Sequence, residues 1–380
     1  MPARPFRARS VSPGIVVALA VLIPAVEAGA QTSRADRAVE QRLVRIVETD
    51  GGPPGAIATL HRDGRTTVLS AGRADVRRSR SPRANDTMRI ASVAKAFSGA
   101  VALRLVQQGE LGLDDTVGQR RPDLPAQWGA VTVRQLLGHT SGIPDYTRSA
   151  GFARQVATAP RATVVPSTII GWVRRDPLLF APGRRYRYSN TDNIVVALIA
   201  EAVSGRTYDR LLHELVLGPA GLRRTSLPTT IRVPSPRIRG YVAVGADRLE
   251  DVTTAISPTG AWASGGILST PNDLGRFVRG DLGGRFFGAA QQRQQLRFVP
   301  GSSSPPGPGR NAAGLAIFRY VTRCGTVYGH TGSFPGYTQW VAATRDGSRS
   351  VTTTFNLSDP TPRMLGRIRA AQTASVCALR

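Results

Sequence analysis

Lysine is nearly missing from this chain. Of its 50 Lys plus Arg residues, only Lys95 is a lysine. Arginine keeps its proton at any pH a protein meets, whereas a primary amine gives its proton up once burial or a neighbouring cation lowers its pKa. A chain that uses arginine everywhere else and keeps one amine points to proton chemistry at Lys95. The lone lysine also excludes a phosphate-binding P-loop, because it follows Ala94 rather than glycine. Histidine is scarce, with four in 380 residues; no pair has metal-ligand spacing and His-Glu-x-x-His is absent. No metal or other cofactor is expected. Gly-x-Ser-x-Gly does not occur, which removes support for the nucleophile-elbow hydrolase fold. Acidic residues number 25 against 50 basic ones, for a formal charge of +25. The arginines are dispersed and few alternate with aromatics. The charge therefore reads as a solvated surface, with weak attraction to anionic cell-envelope polymers, and not as a nucleic-acid site.

Long apolar runs are lacking as well. The one notable stretch, 14–26, is too short to span a bilayer comfortably. Arg4, Arg7 and Arg9 precede it, and the small-residue site Ala28-Gly29-Ala30 follows before Gln31. This is the pattern of a secretory signal. It predicts residues 1–30 as a signal peptide and 31–380 as one secreted or extracytoplasmic domain without stable membrane insertion, an uncleaved anchor being the alternative. The only two cysteines, Cys324 and Cys377, fit an oxidising compartment. A disulfide between them would tie the last residues to the strand region before His330; two separate buried thiols are the alternative.

Apolar periodicity predicts a helix over 35–47 and strands over 55–60 and 65–71, with Asp63-Gly64 as a hairpin turn. Residues 88–91 lead into a strong helix, 92–108, stopped by Gly109. The stretch of about 114–279 reads as short helices and Pro/Gly turns, its clearest helix being 193–203. Residues 300–310, rich in Pro, Gly and Ser, read as an exposed loop. Strands follow at 315–320, 326–328, 337–343 and 350–356, then a final helix over about 362–376. Strands at both ends and helices between them indicate an α+β fold: an antiparallel sheet flanked by terminal helices, with a mostly helical region inserted.

Three short motifs carry chemistry. In Ser92-Val93-Ala94-Lys95 a spacing of three puts hydroxyl and amine on one helical face. A neutral lysine can take the serine proton, or hold the base that does, and the helix N-terminus can help stabilise an oxyanion. In Tyr188-Ser189-Asn190 the phenol can shuttle protons beside an ammonium, and Asn190 can donate to a substrate carbonyl and accept from lysine; the bland alternative is a helix cap. In His330-Thr331-Gly332 the glycine can let substrate approach a strand edge. Thr331 and the Ser333 N–H can hold a substrate carbonyl or carboxylate, and His330 can add positive potential. His139 reads as a loop-ordering residue, and His61 and His213 as surface or turn residues.

The three motifs in this order resemble the penicillin-recognising serine hydrolases: class C β-lactamases, secreted D-alanyl-D-alanine carboxypeptidases and related esterases. Leu136-Leu137-Gly138-His139-Thr140-Ser141-Gly142, 180–183 and 262–270 add to the resemblance, which runs from about Val39 to the C-terminus. It implies Ser92 as the acylated nucleophile, Lys95 assisting its deprotonation and Tyr188 as general base and then acid. Asn190 would position the acyl amide, His330 and Thr331 would sit on the substrate-binding strand, and the N–H groups of Ser92 and Ser333 would form the oxyanion hole. Tyr146 and Trp262 would wall the cleft, with Arg319 and Arg323 as candidate carboxylate anchors. Histidine in the third motif, the run Tyr328-Gly329-His330-Thr331-Gly332 and the Cys324/Cys377 pair favour a D-alanyl-D-alanine carboxypeptidase acting on peptidoglycan-type peptides and sensitive to penicillin. The alternatives are a β-lactamase or carboxylesterase with the same site, and a non-catalytic muropeptide-binding protein. The expected partners are D-Ala-D-Ala peptides and β-lactams.

Overall fold

A computed structural model describes residues 1–5, 33–245 and 248–380. The secretory-signal pattern, Arg4 aside, lies outside the described residues. Among those described, no helix is long and apolar enough to cross a membrane. The compact unit is Arg34–Arg380.

Helix α1 (Arg34–Val47) buries Val39, Leu43 and Ile46, the one-face spacing that the sequence shows. Strands β1 (Gly55–Arg62) and β2 (Arg65–Gly72) follow as a hairpin. Asp63 and Gly64 both take positive φ, 52° and 75°, as a two-residue primed turn requires. Three long helices then occur in the middle of the chain: α2 (Ala94–Gln108), α3 (Asn190–Ser204) and α4 (Pro271–Leu282). The chain returns through β3 (Arg310–Ala313), β4 (Phe318–Thr322), β5 (Gly325–Phe334), β6 (Tyr337–Ala343) and β7 (Ser350–Phe355), and closes with α5 (Pro362–Cys377).

These seven strands form one antiparallel sheet in the order β2-β1-β7-β6-β5-β4-β3. The first hairpin joins the last strand, Ala56 lying opposite Phe355, so the sheet is made from both ends of the chain. Strand periodicity sends alternate residues to opposite faces. Ala56, Ala58, Leu60, Trp340 and Ala342 meet α1 and α5 on one side. Ile57, Val341 and Ala343 join the core around α2 and α3 on the other. Helix α2 is apolar on nearly every side and sits in the middle of that core. The α+β architecture is the one the sequence indicates.

Several boundaries differ. The region inserted between β2 and β3 is longer than 114–279, and position 279 falls inside α4, which packs against β6 and β7. The inserted region also contains a hairpin of its own, Tyr241–Val244 with Arg248–Asp251. Strand β5 runs ten residues where only 326–328 read as strand; Gly325, Gly329 and Gly332 dilute the local signal. The third motif consequently sits inside a strand, not after one. Strand β3 was invisible because it follows directly on the Pro/Gly/Ser run.

Candidate active site

Ser92 lies in a short 3-10 turn, Ala91–Val93, that runs straight into α2. Ala91, just before it, takes a φ of 53°, a left-handed conformation that costs a residue with a Cβ roughly 1 kcal/mol. Strand β5 passes close beside this turn because position 332 lacks a side chain. A Cβ on Gly332 would lie 2.5 Å from the Ile90 carbonyl oxygen and 3.1 Å from the Ala91 Cβ. The sequence suggests that this glycine admits substrate; what it admits is the turn that carries Ser92.

Lys95 is fully buried. Its Nζ lies 3.2 Å from Ser92 Oγ, 2.7 Å from Asn190 Oδ1 and 2.6 Å from the Ser264 carbonyl oxygen. The last two are acceptors only. In the neutral amine they claim both N–H bonds and leave the lone pair facing the Ser92 hydroxyl. Burial draws the Lys95 pKa from its usual value down to about 7, against the pull of the Asp145 and Asp192 carboxylates. The geometry thus makes Lys95 a proton acceptor near neutral pH.

Tyr188 stands on the other side of the amine, with Lys95 Nζ 5.0 Å from its ring centroid. Its hydroxyl is buried and makes no well-aligned hydrogen bond of its own. Burial raises its pKa well above the usual value, offset in part by the nearby Ser92 hydroxyl. Tyr188 is therefore a phenol in the resting site, a proton donor in waiting rather than a phenolate. Beneath it lies a pair that the sequence presented only as loop-ordering. The His139 ring centroid is 4.4 Å from that of Tyr188. His139 Nδ1 is 3.0 Å from Asp192 Oδ2, and Ser141 donates to Asp192 Oδ1 at 2.5 Å. Burial pushes the His139 pKa well down and the Asp192 pKa well up, in each case against the charged form.

Asn190 meets one half of the expectation and not the other. Its Oδ1 accepts from Lys95, but its amide N–H groups face Asp145, at 3.2 and 3.0 Å, and Thr147. They are committed to protein and not to a substrate amide. Nor does the motif cap α3: Ser189 occupies the cap position without a side-chain cap bond. His330 is fully buried, and burial with the neighbouring Lys95 lowers its pKa to about 3. It is neutral and adds no positive potential, contrary to expectation. Its Nδ1–H donates to the Thr331 carbonyl at 2.5 Å.

Two cavities meet at Ser92, and Ser333 also lines both. The first, of about 410 Å³, is walled by Tyr146, Phe152, Trp172 and Phe334 and has no charged side chain on its lining. Tyr146 is held there by a bond from its hydroxyl to the Gly260 carbonyl, 2.9 Å. Trp262 does not line either cavity; it packs edge-on against Tyr208 at 5.3 Å. The tryptophan on the wall is Trp172, tilted against Tyr146 and edge-on to Phe152. The second cavity, of about 340 Å³, differs in carrying charged side chains, Asp359 and Arg369 of α5; Tyr188, Thr331, Gln339 and Gln372 share its lining with apolar residues such as Leu365 and Ile368. Pro305 and Pro306 also border it, so the loop read as exposed forms part of the site. Arg319 and Arg323 are elsewhere. Arg319 lies over the Phe298 ring at 4.6 Å. Arg323 sits in the turn before β5, about 30 Å of strand away from Ser333. The guanidinium at the cleft is Arg369, whose Nε is buried without a hydrogen-bond partner. No local pattern marks Arg369, Phe152 or Trp172, because tertiary packing alone brings their helices to Ser92.

Residues 35–375 match the Beta-lactamase family. The chain is 27% identical over 319 residues to Penicillin-binding protein 4* of Bacillus subtilis, covering 80% of this chain and 68% of that protein. Among solved structures, the D-stereospecific amidohydrolase from a Streptomyces species superposes with a TM-score of 0.78 at 29% identity, over 88% of this chain and 98% of the other. The D-amino acid amidase of Ochrobactrum anthropi SV3 shares the fold, with a TM-score of 0.80 at 24% identity over 91% and 99% of the two chains. The match spans the chain from its first helix to its last, and the protein belongs to the Beta-lactamase family of serine hydrolases.

Proposed function

We propose that this protein is an acyl-transfer enzyme of the D-alanyl-D-alanine carboxypeptidase type. The observation that carries this reading is the place of Ser92, between an aromatic cavity without charged side chains and a second cavity that contains an unpaired guanidinium. A peptide lying across Ser92 would put the apolar part of its acyl side in the first cavity. Its leaving D-amino acid would enter the second, with the carboxylate towards Arg369 and Thr331. Asp359 shares that lining, but it is exposed and forms no ion pair among the described residues.

In this mechanism neutral Lys95 takes the Ser92 proton as Oγ attacks the scissile carbonyl. The N–H groups of Ser92 and Ser333 receive the oxyanion. Tyr188 gives its phenolic proton to the leaving nitrogen, the C–N bond breaks, and the proton on Lys95 restores the phenol. Water then enters the vacated second cavity and attacks the acyl carbon. Its proton passes to Lys95, and Ser92 leaves with a proton returned from the same group. Asn190 and Asp145 act as positioning residues for Lys95.

A second reading, a D-amino acid amidase, draws on the likeness to the Streptomyces amidohydrolase and on the aromatic cavity. An amide substrate leaves ammonia and has no use for Arg369. The decisive experiment incubates the protein with a D-Ala-D-Ala peptide, a D-phenylalanine amide, a short ester and a fluorescent penicillin, and locates any adduct by mass spectrometry. D-Alanine release with a penicillin adduct on Ser92, and loss of the former in Arg369→Ala, is the expected result. Amide cleavage untouched by Arg369→Ala would establish the amidase instead. Rapid penicillin turnover would mark a β-lactamase, and absence of any adduct on Ser92 would overturn the nucleophile itself.

A further inference from the structure

A further cavity lies away from Ser92, at the other end of the sheet. It holds about 720 Å³ and is lined by Arg276, Arg279 and Gly280 of α4, by Gly283 and Arg285 just after it, and by Gly347 in the β6–β7 turn. Seven residues of β6, roughly 20 Å of strand, separate it from the catalytic cleft. Three guanidiniums converge here on a wall made largely of glycine.

What they lack is a counter-charge. None of the three forms an ion pair among the described residues. Their hydrogen bonds go to neutral acceptors. Arg279 Nη1 donates to Ser350 Oγ at 2.9 Å, Arg285 Nη1 to the Pro219 carbonyl at 3.2 Å, and Arg276 Nη1 to the Gly221 carbonyl at 3.5 Å. The nearest carboxylate in the turn, Asp346, is spent on Thr344 and Ser348. Each guanidinium has five N–H donors, so most remain free to face the cavity. Arg279 shows the cost of the arrangement: burial and the neighbouring Arg276 lower its pKa to about 10. Arg62 and Arg80, by contrast, have carboxylate partners in Asp36 and Asp86.

We propose that the Arg276–Arg279–Arg285 cavity is an anion site for a phosphate group bearing more than one negative charge, either free or on a lipid headgroup. Planar guanidiniums bind phosphate oxygens in pairs, and three around one cavity supply the charge that a phosphate monoester or diphosphate brings. This binding is independent of acyl transfer at Ser92 and would fix the protein to a phosphorylated surface component while leaving the cleft open.

The test is calorimetric titration of the folded protein with pyrophosphate, at low salt and at about 0.15 M salt, where exposed charges are largely screened. The expected result is saturable one-to-one binding that persists at the higher salt. It should weaken about tenfold or more in Arg279→Gln and in Arg276→Gln and stay unchanged in Arg154→Gln, an exposed arginine off the cavity. Arg276 is exposed and holds only one long bond, so its variant keeps the test alive if Arg279→Gln fails to fold. Sedimentation with phosphatidic acid vesicles then separates the two sources. Retention that falls in Arg279→Gln assigns a lipid headgroup; pyrophosphate binding without vesicle retention assigns a free phosphate. Absence of saturable pyrophosphate binding, or equal weakening by all three substitutions, would overturn the site.

Discussion

At the scale of the residue, the unusual fact is a single amine among arginines, and the structure gives that amine a state as well as a place. A cation with no counter-ion in direct contact, buried completely, is penalised, and the penalty appears as a pKa near 7 instead of above 10. The consequence for rate follows in sign. In the proposed mechanism acylation needs neutral Lys95, so its rate should rise with pH through about 7 and level off above it; stopped-flow acylation by a penicillin or an activated ester measures this. A rate that is flat from pH 5 to 9 would remove Lys95 as the base. Lys95→Met should slow acylation by roughly 10²–10⁴-fold, the usual contribution of a positioned base. It is a better test than Lys95→Arg, since a permanent cation in that buried position would cost stability as well as chemistry. His330, neutral and buried, contributes shape at this site, not charge.

At the scale of the element, catalytic geometry depends on how closely β5 packs against the turn before α2. Gly332→Ala would press a methyl group against the Ile90 carbonyl oxygen and the Ala91 Cβ, neither of which can rotate away. The strained turn would have to move, at a cost of about 1–3 kcal/mol. A displacement near 1 Å at the nucleophile is worth about a hundredfold in rate. The variant should therefore fold with a lowered Tm and acylate about a hundredfold more slowly, both readable in one preparation. Helix α4 offers a separate prediction. Asp281, at its buried end, accepts from Gln295 at 3.0 Å while its other oxygen has no partner, and burial raises its pKa to about 7. The folded state therefore holds a proton that the unfolded chain has lost above about pH 4, and this residue's contribution to stability falls as pH rises from about 4 to 7. Asp281→Asn removes that dependence. It should be more stable than wild type at pH 8, by about 2 kcal/mol or more, with the gain vanishing near pH 4; denaturant unfolding at the two pH values gives the comparison.

At the scale of the whole molecule, what could be read in advance follows the range of the signal. Asp63-Gly64, Gly109 and the 3–4 spacing of α1 act within a few residues, and each element they mark is where the pattern puts it. The motifs around Ser92, Tyr188 and His330 were legible only as an ordered set. Their individual tasks were not, because the partner of Asn190, the neutrality of His330 and the arrival of Arg369 and Trp172 all depend on packing between distant segments. The cysteine bridge is long-range as well, yet the two cysteines mark it in the sequence. Cys324 precedes β5 and Cys377 ends α5; the structure joins them across 53 residues, with Cα atoms 4.9 Å apart. A bond there ties the last helix to the sheet whose first strand pair is supplied from the other end of the chain. Closing a loop of that length removes denatured-state entropy worth roughly 4 kcal/mol. The pair lies at the end of β5 remote from Ser333, so its effect should fall on stability and spare the chemistry. Protein made in an oxidising compartment should show no free thiol on titration. Cys377→Ser should unfold at lower denaturant by a margin near that figure, yet acylate Ser92 at close to the wild-type rate below its own transition. Two titratable thiols in the wild type would show that the bridge does not form, and a matching loss of acylation rate in Cys377→Ser would show that α5 transmits strain to Arg369 and the cleft.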